Sequence, residues 1–209
     1  MKTANFPSLL QRFFVDRLRG QLGASAHTVA SYRDTFRLLL EFATERLKRA
    51  PSDLCMEEID TPFLLAFLQH LESKRGNSVR TRNTRLCALR AFFRYVSLND
   101  PDLALHCQRV LAIPAKRYDR APVEFLSEQE ASSLLAAPDL KSWIGRRDRA
   151  LLLLAIQTGL RNSEIRSLRW QDVEFGLGAH VRCLGKGRKM RCTPLRKDVA
   201  AVLKAWRSE

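Results

Sequence analysis

The sequence predicts a mainly α-helical chain of two domains, the second of α+β character with one small β-hairpin. Three observations predict it. Apolar residues recur at three- and four-residue intervals along most of the chain. A proline-bearing stretch, residues 101–123, separates residues 1–100 from residues 124–209. Only near residue 180 does the period shorten to two, on either side of a glycine-rich turn.

Four helices are expected in residues 1–100. Phe6–Leu22 carries Leu9, Leu10, Phe13, Phe14, Val15 and Leu18 as an apolar stripe, broken by Gly20 and Gly23. From Thr28 to about Leu47 the stripe continues through Val29, Tyr32, Phe36, Leu39, Leu40 and Ala43, and Pro51 closes the region. The third helix starts at Thr61-Pro62, where Thr61 can cap and proline suits the first turn, and runs to about Lys74. Gly76-Asn77-Ser78 is a turn. The fourth helix, Ser78 to about Leu98, places Leu86, Leu89, Phe93 and Val96 on one face, with Arg80, Arg90 and Arg94 on its flank. Thr81, Arg82, Asn83 and Arg85 crowd its first turns, where free helix N–H groups favour anions. The basic face is either a solvated flank of a core helix or a phosphate-contacting surface. The formal net charge of +14 favours the second, a phosphate- or base-contacting face made of Arg80, Thr81, Arg82, Arg85, Arg90 and Arg94.

Residues 101–123 read as a linker, because Pro101, Pro114 and Pro122 prevent a continuous helix and Lys116, Arg117 and Arg120 make it basic. Beyond it, Ser127 and Glu130 form a capping box for a helix to about Ala137. A helix from Ile144 to Thr158 is apolar on every side at Leu151–Leu154 and is expected to be buried. Gly159 breaks it, and Asn162-Ser163 opens another through Leu168. Ala179–Leu184 and Met190–Leu195 read as strands joined by Gly185-Lys186-Gly187-Arg188-Lys189. The final helix, Lys197–Trp206, has Val199, Val202, Leu203 and Trp206 on one face. Such a small second domain is near the lower limit for a self-sufficient core, so residues 1–100 are expected to be the more robust part.

Charge points to the partner. Across 209 residues, 36 Lys+Arg stand against 22 Asp+Glu, a formal net charge of +14. The excess is spread: residues 1–100 hold 16 basic and 10 acidic residues, and residues 101–209 the other 20 and 12. A polyanion is therefore the expected partner, nucleic acid before an acidic membrane surface. Arginine outnumbers lysine 27 to 9, which suits bidentate phosphate and guanine recognition, although codon bias in a GC-rich genome produces the same excess. The five cysteines form no C-x-x-C pair, so neither a disulfide framework nor a metal site is expected. Met1–Arg12 lacks the apolar core of a signal peptide, and Ala150–Ile156 is too short to span a bilayer. These features predict a cytoplasmic protein with no membrane association and no small-molecule cofactor.

Two strings carry chemistry. The first is Thr158-Gly159-Leu160-Arg161-Asn162-Ser163-Glu164-Ile165, followed by Leu168, Trp170, Asp172 and Val173. The second is Leu184-Gly185-Lys186-Gly187-Arg188-Lys189-Met190-Arg191, ending in Thr193-Pro194-Leu195. At this spacing they resemble the first active-site motif and the lysine-bearing β-hairpin of tyrosine site-specific recombinases, the phage integrase family. The Leu126-Ser127-x-x-Glu130 opening, the Asp148-Arg149-Ala150 helix start and the Thr28-x-x-x-Tyr32 helix fit the same resemblance, which covers essentially the whole chain.

The resemblance implies a helical SAM-like core-binding domain (1–100), the linker (101–123) and an incomplete α+β catalytic domain (124–209). It implies double-stranded DNA as partner, assembly as a homo-oligomer on DNA, and an origin in a transposable element or phage. The reaction would be phosphoryl transfer, in which a tyrosine attacks a backbone phosphate. Catalysis of that kind rests on stabilising the phosphate oxygens and protonating the leaving oxygen. By resemblance, Arg161 is the first catalytic arginine, placed before a helix N-terminus where guanidinium and N–H groups converge on one phosphate. Lys186 is, by the same resemblance, the general acid. Glu164 is expected to brace the arginine rather than react.

The family also uses a later His-x-x-Arg, a further His or Trp, and the nucleophilic tyrosine. The 23 residues after Lys186 contain no His and no Tyr, and Trp206 has no motif around it. His106-Cys107-Gln108-Arg109 reads H-x-x-R but precedes Arg161. The expectation is a C-terminally truncated recombinase that binds DNA and, alone, does not cut it. Two other readings stay open. One is a helix-turn-helix regulator built on Ala155–Leu168, with Gly159 at the turn. The other is a basic structural protein with RNA preference, which would favour a lysine-rich tail.

Overall fold

A computed structural model describes residues 5–119, 122–185, 187 and 189–209. The chain forms two compact units, residues 1–121 and residues 122–209.

The described residues of the first unit form helices joined by short turns, with one isolated antiparallel bridge between Asn5 and Cys55. Helix α1 (Phe6–Arg12) is capped by Asn5, whose Oδ1 accepts from Ser8 N–H at 3.1 Å. It continues without a break into a π-helical stretch, Phe13–Gln21. The wider π turn brings residues five apart onto one face. Phe13 and Leu18, 1% and 2% exposed, both reach the core, whereas Val15, assigned to the apolar stripe on α-helical spacing, is 52% exposed. Helix α2 (Ala26–Leu47) starts from Ser25, whose Oγ accepts from Thr28 N–H at 3.2 Å, and ends at Lys48 in the left-handed region.

Helix α3 (Thr61–Ser73) is capped by Asp60 and not by Thr61: Asp60 Oδ1 accepts from Phe63 N–H at 2.8 Å. A carboxylate accepts better than a hydroxyl at a helix N-terminus, so the start moves one residue upstream of the expected cap. Helix α4 (Val79–Asn99) is capped by Ser78. Its buried surface is wider than the single expected face, because Ala88, Phe92 and Tyr95 are buried along with Leu86, Leu89, Phe93 and Val96. The reason is that α4 packs against α2, α3 and a further helix.

That further helix corrects the linker reading. Pro101–Leu103 is a turn of 3-10 helix, and α5 (Ala104–Leu111) packs directly on α4. Leu103, Cys107, Val110 and Ile113 are buried in the first core. The prolines bracket this segment rather than interrupt it: Pro101 occupies a first turn and Pro114 follows the helix end, both positions that tolerate proline. The spacing of Leu103, Cys107 and Val110 is helical. At the centre of the unit Phe92 meets Phe6, Phe13 and Phe36, with ring centroids 5.4, 5.5 and 5.3 Å apart in edge-on geometry.

The second unit begins with α6 (Glu128–Ala136). Its capping box is complete: Ser127 Oγ accepts from Glu130 N–H at 3.2 Å and Glu130 Oε2 from Ser127 N–H at 2.8 Å. Helix α7 (Trp143–Thr158) follows, capped by Ser142. Gly145 lies so close to the preceding loop that a Cβ there would fall 1.9 Å from the Asp139 carbonyl oxygen. The expectation that α7 is buried on every side is not met. Ala150 and Leu154 are buried, but Leu151 and Ile156 are 43% and 44% exposed. Among the described helices only α6 and α9 pack extensively on it, so its remaining face meets solvent.

After α8 (Asn162–Ser167) comes a three-stranded antiparallel sheet in the order β1 (Val173–Glu174), β2 (His180–Leu184), β3 (Met190–Pro194). β2 and β3 are the two expected strands; β1, with two residues, is too short to show a period. The register pairs Cys183 with Arg191 and Val181 with Thr193. Helix α9 (Lys197–Arg207) lays Val199 and Leu203 on a core shared with Ala150, Leu154, Leu160, Val173, Val181, Cys183 and Leu195.

Candidate active site and nucleic-acid interface

The site forms where α7 stops. Gly159, at φ 60°, turns the chain in the left-handed region and donates to Ala155 O at 3.0 Å. Glycine suits this position because an L side chain is strained there. Leu160 then inserts into the second core, and Arg161 becomes the N-cap of α8 in an extended conformation.

Arg161 is held from below by Glu164. Its main-chain N–H donates to Glu164 Oε2 at 2.7 Å, and its Nη1 to Oε1 at 3.0 Å. Glu164 is 5% exposed, while the Arg161 side chain remains 59% exposed. A third donor arrives from the sheet: Arg191 on β3 pairs through Nη2 with Glu164 Oε2, and its Nε donates to Cys183 Sγ at 3.2 Å. The Arg161 main-chain hydrogen bond is the largest influence holding the Glu164 carboxyl below the ordinary carboxylate range. It acts against burial and is aided by the Arg161 guanidinium and the Arg191 charge. Glu164 is thus a carboxylate brace, with a cation presented to solvent above it. The bracing contact expected of Glu164 is present, whereas Arg191 was not among the expected site residues, because only the β2–β3 register brings residue 191 to residue 164.

Lys186 lies outside the described residues, as does Arg188. The neighbouring Gly185 closes the hairpin by donating to Lys189 O at 2.8 Å, and a Cβ on it would stand 3.5 Å from Glu164 Oε1. The H-x-x-R string at 106–109 falls on α5 of the first unit, far in sequence from Arg161. Helix α8 has six residues, about 9 Å of helix, short for the recognition helix that a helix-turn-helix regulator needs. Among the described residues no group of three or more His, Cys, Asp or Glu side chains is placed to hold a metal ion.

The six α4 residues divide into two groups. Arg80 and Arg94 are exposed, and Thr81 is half-buried with its hydroxyl 3.1 Å from Ser78 Oγ. The other three arginines face protein. Arg82, 4% exposed, donates through Nη1 to Pro114 O and Asn83 Oδ1, both at 3.1 Å. Arg85 Nη1 donates to Ser31 O at 3.1 Å and Thr35 Oγ1 at 3.2 Å, joining α4 to α2. Arg90 Nη2 donates to Ile113 O. Asn83 completes the arrangement by pairing its side-chain amide with both main-chain groups of Lys116, at 2.8 and 3.0 Å. Arg82, Asn83 and Arg90 therefore clamp segment 113–116 onto α4. Helical projection places a residue on a flank but does not show that another segment covers that flank.

The molecule is thus a helical unit followed by a small unit that mounts an exposed arginine on a buried glutamate, beside a β-hairpin, and both units match those of the tyrosine recombinases. The phage integrase family model matches residues 124–209, and the model of the phage integrase N-terminal SAM-like domain matches residues 11–98. The Sinorhizobium fredii protein y4rC, named as an integrase/recombinase, is 54% identical over 208 residues, covering 100% of this chain and 63% of its own length. A second S. fredii protein of that description, y4rD, is 41% identical, covering 96% of this chain and 72% of its own length. The tyrosine recombinase XerC of Rhodospirillum centenum is 36% identical, over 90% of this chain and 56% of that protein.

Solved structures show the same fold. The XerH site-specific recombinase bound to a palindromic difH substrate superposes with a TM-score of 0.65 at 22% identity, covering 91% of this chain and 55% of that one. The lambda integrase (75–356) dimer bound to a COC′ core site gives 0.66 at 18% identity, covering 96% and 68%. The chain belongs to the phage integrase family of tyrosine recombinases, and it spans 63% of the length of y4rC.

Proposed function

We propose that this chain is a DNA-binding part of a tyrosine recombinase, acting in DNA integration and recombination in the cytoplasm. It contributes Arg161 and Lys186 to the handling of a backbone phosphate. The observation that carries the reading is the mounting of Arg161: a cation 59% exposed, its base fixed by a buried carboxylate that Arg191 also holds. Such a guanidinium is oriented before the ligand arrives, which is what stabilising phosphoryl oxygens requires. Arg80, Thr81 and Arg94 supply phosphate contacts from α4, while Arg82, Arg85 and Arg90 support that helix. No described helix is long and apolar enough to cross a membrane.

The 209 residues hold no tyrosine beyond Tyr118, so by themselves they are expected to bind DNA without cutting it. The test is titration of duplex DNA by fluorescence anisotropy over a range of salt, beside a nicked-site assay for covalent adducts. Binding whose logarithm falls linearly with the logarithm of salt, and weakens on Arg161→Ala, supports the reading. Salt-independent or absent binding refutes the DNA role, and a denaturant-resistant adduct refutes the inactivity.

A further inference from the structure

We propose that two copies of this chain pair through the groove between α1 and α2, with the two α2 helices antiparallel about a two-fold axis. The pairing needs no DNA and stands apart from the recombinase reading. The groove has a volume of about 810 Å³, and Leu10, Phe14, Phe36 and Leu40 line it, with Pro51 beside them. Leu10, Phe14 and Leu40 are only half-buried. Apolar surface left concave and wet favours a covering partner.

The rim says which partner. Arg33, Arg37, Glu41 and Glu45 follow one another at four-residue intervals on α2 and all border the groove. They form a single ridge about 18 Å long, positive over its first half and negative over its second. A uniformly acidic or uniformly basic partner would meet like charge along half of that ridge. A second α2, rotated about an axis level with Leu39, meets opposite charge everywhere. Arg33 faces Glu45 of the partner subunit, and Arg37 faces Glu41 of the partner subunit. The ridge is thus self-complementary, the property an isologous two-fold interface requires.

The groups are available. Arg33 and Glu45 have no ion-pair partner among the described residues, and Arg37–Glu41 is a pair exposed on both sides that loses little by being shared. A stable dimer buries roughly 800 Å² per partner, more than one groove supplies, so the association is expected to be weak.

The test is sedimentation equilibrium of the whole chain without DNA. The weight-average mass should rise with concentration from 23.9 kDa towards twice that value. Arg33→Glu or Glu45→Arg alone places like charges across the axis and should weaken association at least about tenfold. Both substitutions lie on exposed positions, and circular dichroism of each variant checks that it is folded. An equimolar mixture of the two variants should dimerise again, because in the mixed dimer each position 33 faces a position 45 of opposite charge. The double variant R33E/E45R restores the same opposition and should also recover. A parent that stays monomeric at several hundred micromolar, single variants that associate as well as the parent, or a mixture that fails to recover would each overturn the proposal.

Discussion

The main-chain N–H of Arg161 and the Nη2 of Arg191 share one acceptor, Oε2 of Glu164. The sharing ties the start of α8 to the third strand, so the arginine at the site and the hairpin that carries Lys186 in sequence are fastened to the same buried carboxylate. What happens to that carboxylate should therefore be felt by the whole second unit.

Glu164 has a folded-state pKa depressed below its unfolded value, so its contribution to stability is full above the ordinary carboxylate value of about 4.3 and is lost as pH falls through the lower folded value. Urea unfolding followed by tryptophan fluorescence reads this unit alone, because Trp143, Trp170 and Trp206 all lie in it. The unfolding midpoint should drop steeply with acid below that pH. Glu164→Gln should lower it at neutral pH and flatten the acid dependence. An unchanged pH profile would show that the brace contributes nothing.

Gly145→Ala should destabilise the second unit by about 3 kcal/mol, since the added methyl would fall 1.9 Å from the Asp139 carbonyl oxygen and must push the loop or the helix aside. The same fluorescence signal, followed through a thermal melt, measures it. A cost within about 0.5 kcal/mol, normal for an open surface site, would contradict the close approach.

The α4 arginines should separate by assay. Arg80→Ala and Arg94→Ala should leave thermal stability within about 0.5 kcal/mol while weakening DNA binding and reducing the salt slope by roughly 0.9 for each phosphate left without its arginine. Arg82→Ala should instead cost about 2 kcal/mol of stability, because it leaves the Pro114 carbonyl oxygen without this donor. Equal stability losses for all three would dissolve the distinction.

Ile113→Ala should cost about 3 kcal/mol, as for a core isoleucine. A true linker residue would cost almost nothing. In the same unit Asp60→Ala should cost about 1 kcal/mol as a lost helix cap, and Thr61→Ala should cost less. Thermal melts of the far-ultraviolet dichroism decide both.

By itself the sequence determined most of the helices, their order and the hairpin, because these are local matters. Periodicity, the Ser127–Glu130 box and Gly159 each act over a few residues, and the two motifs at 158–165 and 184–191 are local strings. Tertiary structure decided the rest. Whether the segment after Pro101 is a linker or part of the core depends on α4 offering it a surface. Whether Arg82 and Arg90 face solvent depends on where residues 113–116 are laid. Whether Arg191 belongs to the site depends on a strand register that brings together residues 27 apart. Burial and pairing between distant residues are properties of packed surfaces, and packing is settled only when the whole chain has found its neighbours.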